Sequence, residues 1–327
     1  MASYARPLSC PAKRPLNSNL SSSTLRIGTR GSALARWQAE WVASRLREHG
    51  RDVELVHITT RGDREQNQAV NTIGGDGLFT KELQRSLLAG EIDLAVHSLK
   101  DLPTEPVAGL VLGAVPRRGP IGDVLVSRGG LALTRLPPGA VIGTGSQRRR
   151  AQLLHARPDL EMKDIRGNVD TRLKKLHAGD FDALVLAEAG LKRLGLDAEI
   201  TEILPTSIML PAVGQGALGI ECRADNALAL AAIAPLDDAD THQSVTAERA
   251  MLRALAGGCL APVAAWGRVE ADGKLRLSAA VLSVDGRRRL AAERTAAATS
   301  AEELGEQTAA DLAAEGAVEI IQAARRA

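Results

Sequence analysis

Residues 25–58, LRIGTRGSALARWQAEWVASRLREHGRDVELVHI, contain the unit that decides the fold. Residues 25–28 and 53–58 are short runs with the pattern of strands, and Gly50 closes the segment between them. The large apolar side chains of that segment, residues 33–48, recur at helical spacing on one face: Leu34, Trp37, Trp41, Val42 and Leu46. A strand, a helix and a second strand in this order are typical of a mostly parallel sheet covered by helices.

The same alternation continues to about Ala217, with one break that is rich in proline and glycine. Residues 78–88 are predicted as a helix and residues 92–97 as a buried strand. The break lies at 116–122, and a new strand follows it at Val141. Two similar α/β lobes joined by a hinge predict a cleft between them.

The last ninety or so residues change to an α+β pattern. Three strand-like runs, 263–270, 274–283 and 288–294, are joined at Asp-Gly turns and predict an antiparallel meander with a helix on either side. The expected fold class is therefore α/β, with two lobes around a cleft and a C-terminal α+β domain. The expected boundaries are an N-terminal extension at 1–24, a first lobe at 25–116 with 217–234, a second lobe at 122–210 and a third domain at 239–327.

The composition limits the classes of function. The 327 residues carry 41 basic and 39 acidic side chains, so a net charge of +2 provides no global field for nucleic acid or membrane. No apolar run approaches the roughly 20 residues that a membrane-spanning helix needs. The cysteines, Cys10, Cys222 and Cys259, are odd in number and lack metal-ligand spacing, which favours a reducing cytoplasm. Residues 1–24 are basic, rich in serine and free of acids, as in disordered tails and, as the alternative, in organellar transit peptides.

Three loops that join a predicted strand to a predicted helix carry arginines. They are Thr29-Arg-Gly-Ser32, Gly143-Thr-Gly-Ser-Gln-Arg-Arg-Arg150 and Arg166-Gly-Asn-Val-Asp-Thr-Arg172. Small residues expose backbone N–H groups at a positive helix end, and arginine binds carboxylate or phosphate bidentately. Because strand ends of an open sheet line one crevice, these loops predict a ligand with several acidic groups. None of them has a nucleotide-binding glycine pattern.

Two further segments have both an ordinary and a functional interpretation. His97-Ser-Leu-Lys-Asp101 ends a predicted strand, where His97 is expected to be a core histidine. For Lys100 and Asp101, a surface ion pair and a functional role remain equally open. Cys259 follows Gly257-Gly258 after a helix, so its thiol is expected to be accessible. Free cysteines are more often buried and inert, so the local sequence alone favours that alternative over a nucleophile or attachment site.

Taken together, the motifs resemble the porphobilinogen deaminase family from about Leu25 to the C-terminus. The similarity rests on motifs that occur in the order of the family: 26–32, 60–63, 77–83, 97–103, 166–168, 210–216, 246–249 and 257–259. The resemblance implies two lobes like those of periplasmic binding proteins and an α+β domain that carries a cofactor cysteine. It implies that Cys259 holds a dipyrromethane primer through a thioether.

The resemblance also implies the chemistry. Four porphobilinogen molecules would lose ammonia and be joined on the primer, then leave as hydroxymethylbilane, a step of tetrapyrrole, porphyrin and heme biosynthesis. Positive charge develops on the pyrrole nitrogens, and the family pattern places Asp101 against it as the catalytic carboxylate. The family's binding residues map onto Lys100, Ser146, Arg148, Arg149 and Arg172 for the cofactor, and onto Arg30, Ser32, Phe79, Arg166 and Arg193 for the substrate. For Phe79, ordinary core packing is the alternative to stacking on a pyrrole.

Two positions depart from the family pattern, and two other classes of function compete. Asp76 stands where many relatives have lysine, and Gly145 replaces a frequent serine. A non-catalytic two-lobed binding protein for an organic polyanion would need neither Cys259 nor Asp101. A nucleic-acid binder would need interleaved aromatic residues and an excess of positive charge, which are missing. We therefore expect a monomeric, cytoplasmic transferase that binds porphobilinogen and neither nucleic acid nor membrane.

Overall fold

The computed structural model describes residues 24–58, 80–258 and 261–326. Its strands are β1 (Leu25–Thr29), β2 (Val53–His57), β3 (Leu94–Ser98), β4 (Leu110–Ala114), β5 (Asp123–Ser127), β6 (Val141–Gly143), β7 (Glu161–Lys163), β8 (Ala183–Ala187), β9 (Glu202–Ile203), β10 (Leu218–Arg223), β11 (Val263–Val269), β12 (Lys274–Leu282) and β13 (Arg289–Ala297). Its α-helices are α1 (Ala33–Glu48), α2 (Lys81–Leu88), α3 (Gln147–Ala156), α4 (Val169–His177), α5 (Glu188–Arg193), α6 (Ala227–Ile233), α7 (Ala239–Ala254), α8 (Ala301–Ala314) and α9 (Ala317–Arg326).

The first sheet has five strands in the order β2-β1-β3-β10-β4. Strand β1 pairs in parallel with β2 and β3, whereas β10 pairs antiparallel with β3 and β4. Helix α1 buries Val42 and Leu46 of its predicted apolar stripe against Ile27 and Leu94 of this sheet, whereas Trp37 of the same stripe is exposed. The expectation of a mostly parallel sheet was wrong for two of its four strand pairings, those of β10. The periodicity of one segment does not indicate where a strand from a later part of the chain joins the sheet.

The second sheet repeats this arrangement with the order β7-β6-β8-β5-β9. Strand β6 lies parallel to β7 and β8, and β5 lies antiparallel to β8 and β9. Apolar clusters cover both faces of the sheet, one around Ile142 and Leu153 and the other around Phe181 and Leu184. The two sheets and their helices confirm the expected pair of α/β lobes.

The chain crosses between the two sheets twice, and the crossing segments are hydrogen-bonded to each other. The Gly119 N–H donates to the carbonyl oxygen of Gly216 at 3.2 Å, and Gln215 Nε2 donates to the carbonyl oxygen of Ile121 at 2.7 Å. Gly216 has φ +85°, and a Cβ at this position would lie 2.6 Å from the carbonyl oxygen of Pro120. The two crossovers therefore approach as closely as they do because residue 216 lacks a side chain.

The C-terminal region is the expected α+β unit. Its three strands form an antiparallel sheet in the order β11-β12-β13, and α7 and α8 pack against it around one apolar core. Helix α7 begins at Ala239, whereas the sequence predicts a start at Ser244. The reason is an N-cap: the Asp238 side chain accepts a hydrogen bond from the Thr241 N–H at 2.9 Å.

Glu248 of α7 attaches the C-terminal region to both crossovers. Its carboxylate is fully buried and accepts hydrogen bonds from Arg118 Nη1 at 2.6 Å, the Gly214 N–H at 2.6 Å and the Gly267 N–H at 2.8 Å. A buried carboxylate needs such partners, since an unpaired charge in a low-dielectric interior is strongly destabilising. In the part of the chain described above, no helix combines the length and apolarity needed to cross a bilayer.

Candidate functional site

The three arginine loops all end a strand and begin a helix, as predicted. Each uses a side chain of the loop as the helix N-cap: Ser32 accepts from the Ala35 N–H at 3.3 Å, Ser146 from the Arg149 N–H at 3.4 Å and Asn168 from the Thr171 N–H at 3.0 Å. A serine that caps a helix through its oxygen keeps its hydroxyl proton. Ser32 and Ser146 therefore remain able to donate a hydrogen bond to an anionic ligand.

Arg148 and Arg149 are buried and share one carboxylate, that of Asp123 at the start of β5. Arg148 Nη1 lies 2.7 Å from Asp123 Oδ2, and Arg149 Nη2 lies 2.7 Å from Asp123 Oδ1. Each guanidinium also donates to a backbone carbonyl, Arg148 to Leu210 at 2.7 Å and Arg149 to Val185 at 2.9 Å. Burial alone would raise the pKa of Asp123, but the two guanidiniums and Lys100 hold that pKa well below its usual range.

Lys100 and Asp101 of the first lobe face this cluster of the second lobe. Both lie in the short 3₁₀ turn that follows β3. Burial, followed by repulsion from Arg149, lowers the pKa of the half-buried Lys100 to about 8, and the Asp101 and Asp123 carboxylates oppose that shift. The predicted strand end of the first lobe thus lies within electrostatic range of the predicted anion loop of the second lobe.

Arg166 and Arg172 complete the group of cations. Arg172 Nε donates to the carbonyl oxygen of Gly167 at 2.8 Å, which folds the side chain back over its own loop. Burial, then repulsion from Arg149 and Arg166, lowers the pKa of Arg172 to about 10, while Asp101 opposes this shift. These mutual effects bring five predicted site residues together: Lys100, Asp101, Arg149, Arg166 and Arg172.

Asp101 is exposed, and within the described ranges no cation lies within 4 Å of its carboxylate. The surface ion pair with Lys100 that the sequence left open is therefore absent from this structure. His97 is buried, and its Nε2 atom lies 3.2 Å from Glu221 Oε2, which confirms the expected core histidine. The carboxylate of Asp101 is left facing a region of positive charge without direct neutralisation.

Arg193 lies in a different place, at the contact between the lobes. Its guanidinium stands over the ring of Trp37 in α1, 5.7 Å from the ring centre. Its Nη2 atom donates to the carbonyl oxygen of Gly216 at 2.7 Å, and burial lowers its pKa to about 10. Arg30 is half-buried in the loop before α1. The described contacts do not join Arg193 to the cluster around Asp123.

Two predicted site residues, Phe79 and Cys259, lie outside the described residues, and so does Asp76. The approach to Cys259 is described up to Gly258. Gly257 and Gly258 border a cavity of about 450 Å³ that Lys100 also lines. The segment that leads to Cys259 therefore opens on the same cavity as the lysine of the 3₁₀ turn.

Sequence reasoning missed Asp123, which binds two of the predicted site residues, Arg148 and Arg149. The available signal was weak: one carboxylate stands immediately before the apolar run Val124-Leu-Val126. Acidic residues are almost never fully buried without a partner, so an acid at the first position of a buried strand indicates a cation elsewhere. The sequence did not show that Arg148 and Arg149 are those cations.

Known protein families account for most of the chain. A family model described as "Porphobilinogen deaminase, dipyromethane cofactor binding domain" matches residues 25–231, and one for the C-terminal domain of porphobilinogen deaminase matches residues 242–314. The porphobilinogen deaminase of Desulforudis audaxviator is 52% identical over 91% of this chain and 97% of its own length. That of Syntrophotalea carbinolica is 49% identical over 93% of this chain and 97% of its own length.

A solved nutrient binding protein from Burkholderia cenocepacia, bound to methionine, is 14% identical with a TM-score of 0.42, over 70% of this chain and 95% of its own. The two-lobed fold of this chain is established by the order of the strands in its own two five-stranded sheets. The family matches confirm the expected transferase activity and dipyrromethane cofactor, and they set aside the non-catalytic binding protein. From residue 25 to residue 314 the two models follow each other in order, and the chain belongs to the porphobilinogen deaminase family.

Proposed function

We propose that Asp101 is the catalytic carboxylate of this enzyme and that the surrounding cations bind the acid side chains of porphobilinogen and of the growing chain. One observation carries the proposal: the 3₁₀ turn of Lys100 and Asp101 faces the arginine loops across the two lobes. Each porphobilinogen brings two carboxylates, so a chain of pyrroles needs several cations. Lys100, Arg149, Arg166 and Arg172 supply them in one place.

The position of Asp101 suits a group that opposes transient positive charge. Its carboxylate is exposed and has no cation within 4 Å among the described residues. It is therefore available to accept a hydrogen bond from a pyrrole N–H. A charge placed beforehand stabilises a transition state without reorganisation during the reaction. Asp101 would hold that N–H while ammonia leaves and the new carbon–carbon bond forms.

The described residues also fit the primer. The cavity beside Gly257 and Gly258 is about 450 Å³ and reaches Lys100, which gives an anionic two-ring group a cation close to its point of attachment. Lys100, Ser146, Arg149 and Arg172 would hold its acetates and propionates, and Arg148 would support Arg149 from behind. When attached, the dipyrromethane supplies the free pyrrole carbon to which the first substrate is joined. For Arg30, Ser32, Phe79 and Arg193, the substrate-binding role rests on the family motifs.

We further propose that the enzyme works as a single chain in the cytoplasm, bound neither to nucleic acid nor to membrane. A net charge of +2 supports this, because it provides no general attraction to polyanions. We also propose the domain boundaries stated from the sequence, with 217–234 completing the first lobe and 239–327 carrying the primer. Sedimentation of the purified holoenzyme at two concentrations would test the monomer.

The covalent primer is tested by the intact mass of the protein made in a host that synthesises porphobilinogen. The expected mass exceeds that of the polypeptide by one two-pyrrole unit, and Cys259→Ala should remove this excess together with all turnover. Cys222→Ala is the matched control. Cys222 is buried, and burial raises the pKa of its thiol to about 11, so it stays a thiol at neutral pH. An unmodified mass for the parent protein would contradict the proposal.

A further inference from the structure

Asp123 is not among the site residues that were predicted from the sequence. It is the first residue of β5 and follows the crossover from the first lobe, so its backbone is fixed by the ladder with β8. Its exposed fraction is 0%. A fully buried carboxylate is costly unless it is paired, and here its two oxygens bind two different arginines.

The contacts of Asp123 fix the two guanidiniums in orientation. Oδ1 accepts from Arg149 Nε at 2.8 Å and from Nη2 at 2.7 Å, which is a two-point contact along one edge of that guanidinium. Nη1 of Arg149 then donates to the carbonyl oxygen of Val185. A guanidinium held on two sides keeps one orientation, and the donors that remain point in fixed directions.

The charge of Asp123 also acts on the opposite lobe. Arg148 and Arg149 repel Lys100, whereas Asp123 and Asp101 attract it. On the far side of Lys100, the cavity is bordered by the charged side chains Lys81, Glu105, Arg249, Arg253 and Arg325. Three cations around one buried anion leave a net positive charge for a ligand, but without that anion their mutual repulsion would be unopposed.

We propose that Asp123 is a positioning residue for the reaction: it orients Arg149 toward the ligand, and its negative charge opposes the repulsion that Arg149 exerts on Lys100 of the first lobe. The proposal rests on the proposed function of those two cations. It assigns to Asp123 no contact with substrate. A purely structural ion pair would change the stability of the fold alone, whereas this arrangement changes the titration of a lysine on another lobe.

The test is the pH dependence of acetylation of Lys100 in the holoenzyme, followed by mass spectrometry of its peptide, because only an unprotonated amine reacts. In the parent enzyme the midpoint is expected near 8. In Asp123→Asn it should fall measurably, because removing this carboxylate leaves the repulsion of Lys100 by Arg148 and Arg149 less opposed. Asp182→Asn is the matched control, since Asp182 caps the opposite end of the same sheet by accepting from the Val141 N–H.

A second variant covers the case in which Asp123→Asn does not fold. Asp123→Asn combined with Arg148→Gln removes one charge of each sign, so the interior keeps its balance, while Arg149 loses its orienting carboxylate. The expected result is a folded holoenzyme whose KM for porphobilinogen rises at least tenfold. A folded Asp123→Asn with an unchanged Lys100 midpoint, or a folded double variant with an unchanged KM, would overturn the proposal.

The acetylation measurement does not use turnover, so it separates this proposal from the proposed function. If Arg172→Leu and Lys100→Met kept a normal KM while the Lys100 midpoint still moved in Asp123→Asn, Asp123 would set the charge of a lysine that does not serve catalysis. That combination of results would contradict the proposed function and also the positioning role. It would still show that the charge of Asp123 affects the titration of Lys100.

Discussion

The two arginine loops of the second lobe have the same construction but differ in the burial and ion pairing of their arginines. Loop 143–150 and loop 166–172 each leave a strand, cap a helix with a small polar side chain and carry arginines. In the first, Arg148 and Arg149 are 4% and 6% exposed and are bound to Asp123. In the second, Arg166 and Arg172 are half-buried, and no described carboxylate lies within 4 Å of either.

The difference shows that a local motif predicts where an arginine stands but not which charge balances it. The balancing carboxylate of the first loop comes from β5, more than twenty residues upstream. In the second loop, the carboxylate that opposes the charge of Arg172 is that of Asp101, on the other lobe. We therefore expect the first loop to contribute more to the fold and the second to contribute more to binding.

The largest effect is expected at Asp101, because its exposed carboxylate opposes the charge of Arg172 and has no cation within 4 Å among the described residues. Asp101→Asn should lower kcat on the order of 10²–10³-fold, the usual cost of losing one preorganised partner of a charged transition state. The rate should be measured on protein that already carries the primer. Its melting temperature should match the parent, because the Asp101 side chain is exposed.

Asp180→Asn is the matched control for Asp101→Asn, since Asp180 is an exposed acid in the turn before β8. It should leave kcat unchanged. If kcat of Asp101→Asn stayed within a few-fold of the parent value, Asp101 would have no catalytic role. The proposed functional difference between the two loops would then be contradicted.

The two loops are compared directly by replacing one arginine in each. Arg172→Leu should raise the KM for porphobilinogen about 10- to 100-fold, since a charge-assisted contact to a buried carboxylate contributes roughly 1.5–3 kcal/mol. Arg148→Leu should instead lower the free energy of unfolding by about 3–5 kcal/mol, because it leaves Asp123 with one partner fewer in a dry interior. Denaturant titration and steady-state kinetics measure both quantities for both variants.

Lys174→Leu on the exposed face of α4 is the control for Arg172→Leu and should change neither quantity. The proposed division of labour between the loops fails if Arg172→Leu mainly unfolds the protein and Arg148→Leu mainly weakens binding.

A smaller effect is expected from pH. The pKa of Lys100 is lowered to about 8, so its charge is lost as pH rises through 8. Between pH 7 and pH 9 the protonated fraction falls about tenfold, and the KM should rise by up to the same factor. Lys100→Arg should remove most of this rise, because a guanidinium keeps its proton in this range. A KM that is flat from pH 7 to pH 9 in the parent would show that the charge of Lys100 is not used in binding.

The same shift has a defined sign for stability. The pKa of Lys100 is lower in the folded protein than in the unfolded chain, so the unfolded chain binds more protons between pH 8 and the ordinary lysine value. The Lys100 contribution to the free energy of unfolding therefore increases as pH rises through that window. Affinity and stability should change in opposite directions, which a pH series on the parent and on Lys100→Arg would detect.

Much of this fold could be predicted from the sequence because its elements are locally determined. Helix α1 has the predicted bounds, and the three anion loops lie at the predicted strand-to-helix turns. The antiparallel entry of β10 and the partner of Arg148 depend on contacts between segments that are distant in the chain. Periodicity and turn chemistry do not contain that information, and for Asp123 only the cost of burying an acid gave a signal.

The insertion of β10 between β3 and β4 has a consequence for synthesis of the chain. All strands of the second sheet, from β5 to β9, precede β10 in the sequence, whereas the first sheet stays open between β3 and β4 until residues 218–223 are made. On a ribosome, the second lobe therefore has its complete set of strands while the N-terminal lobe still exposes two unpaired edges. The order in which the lobes mature is the reverse of the order in which they begin.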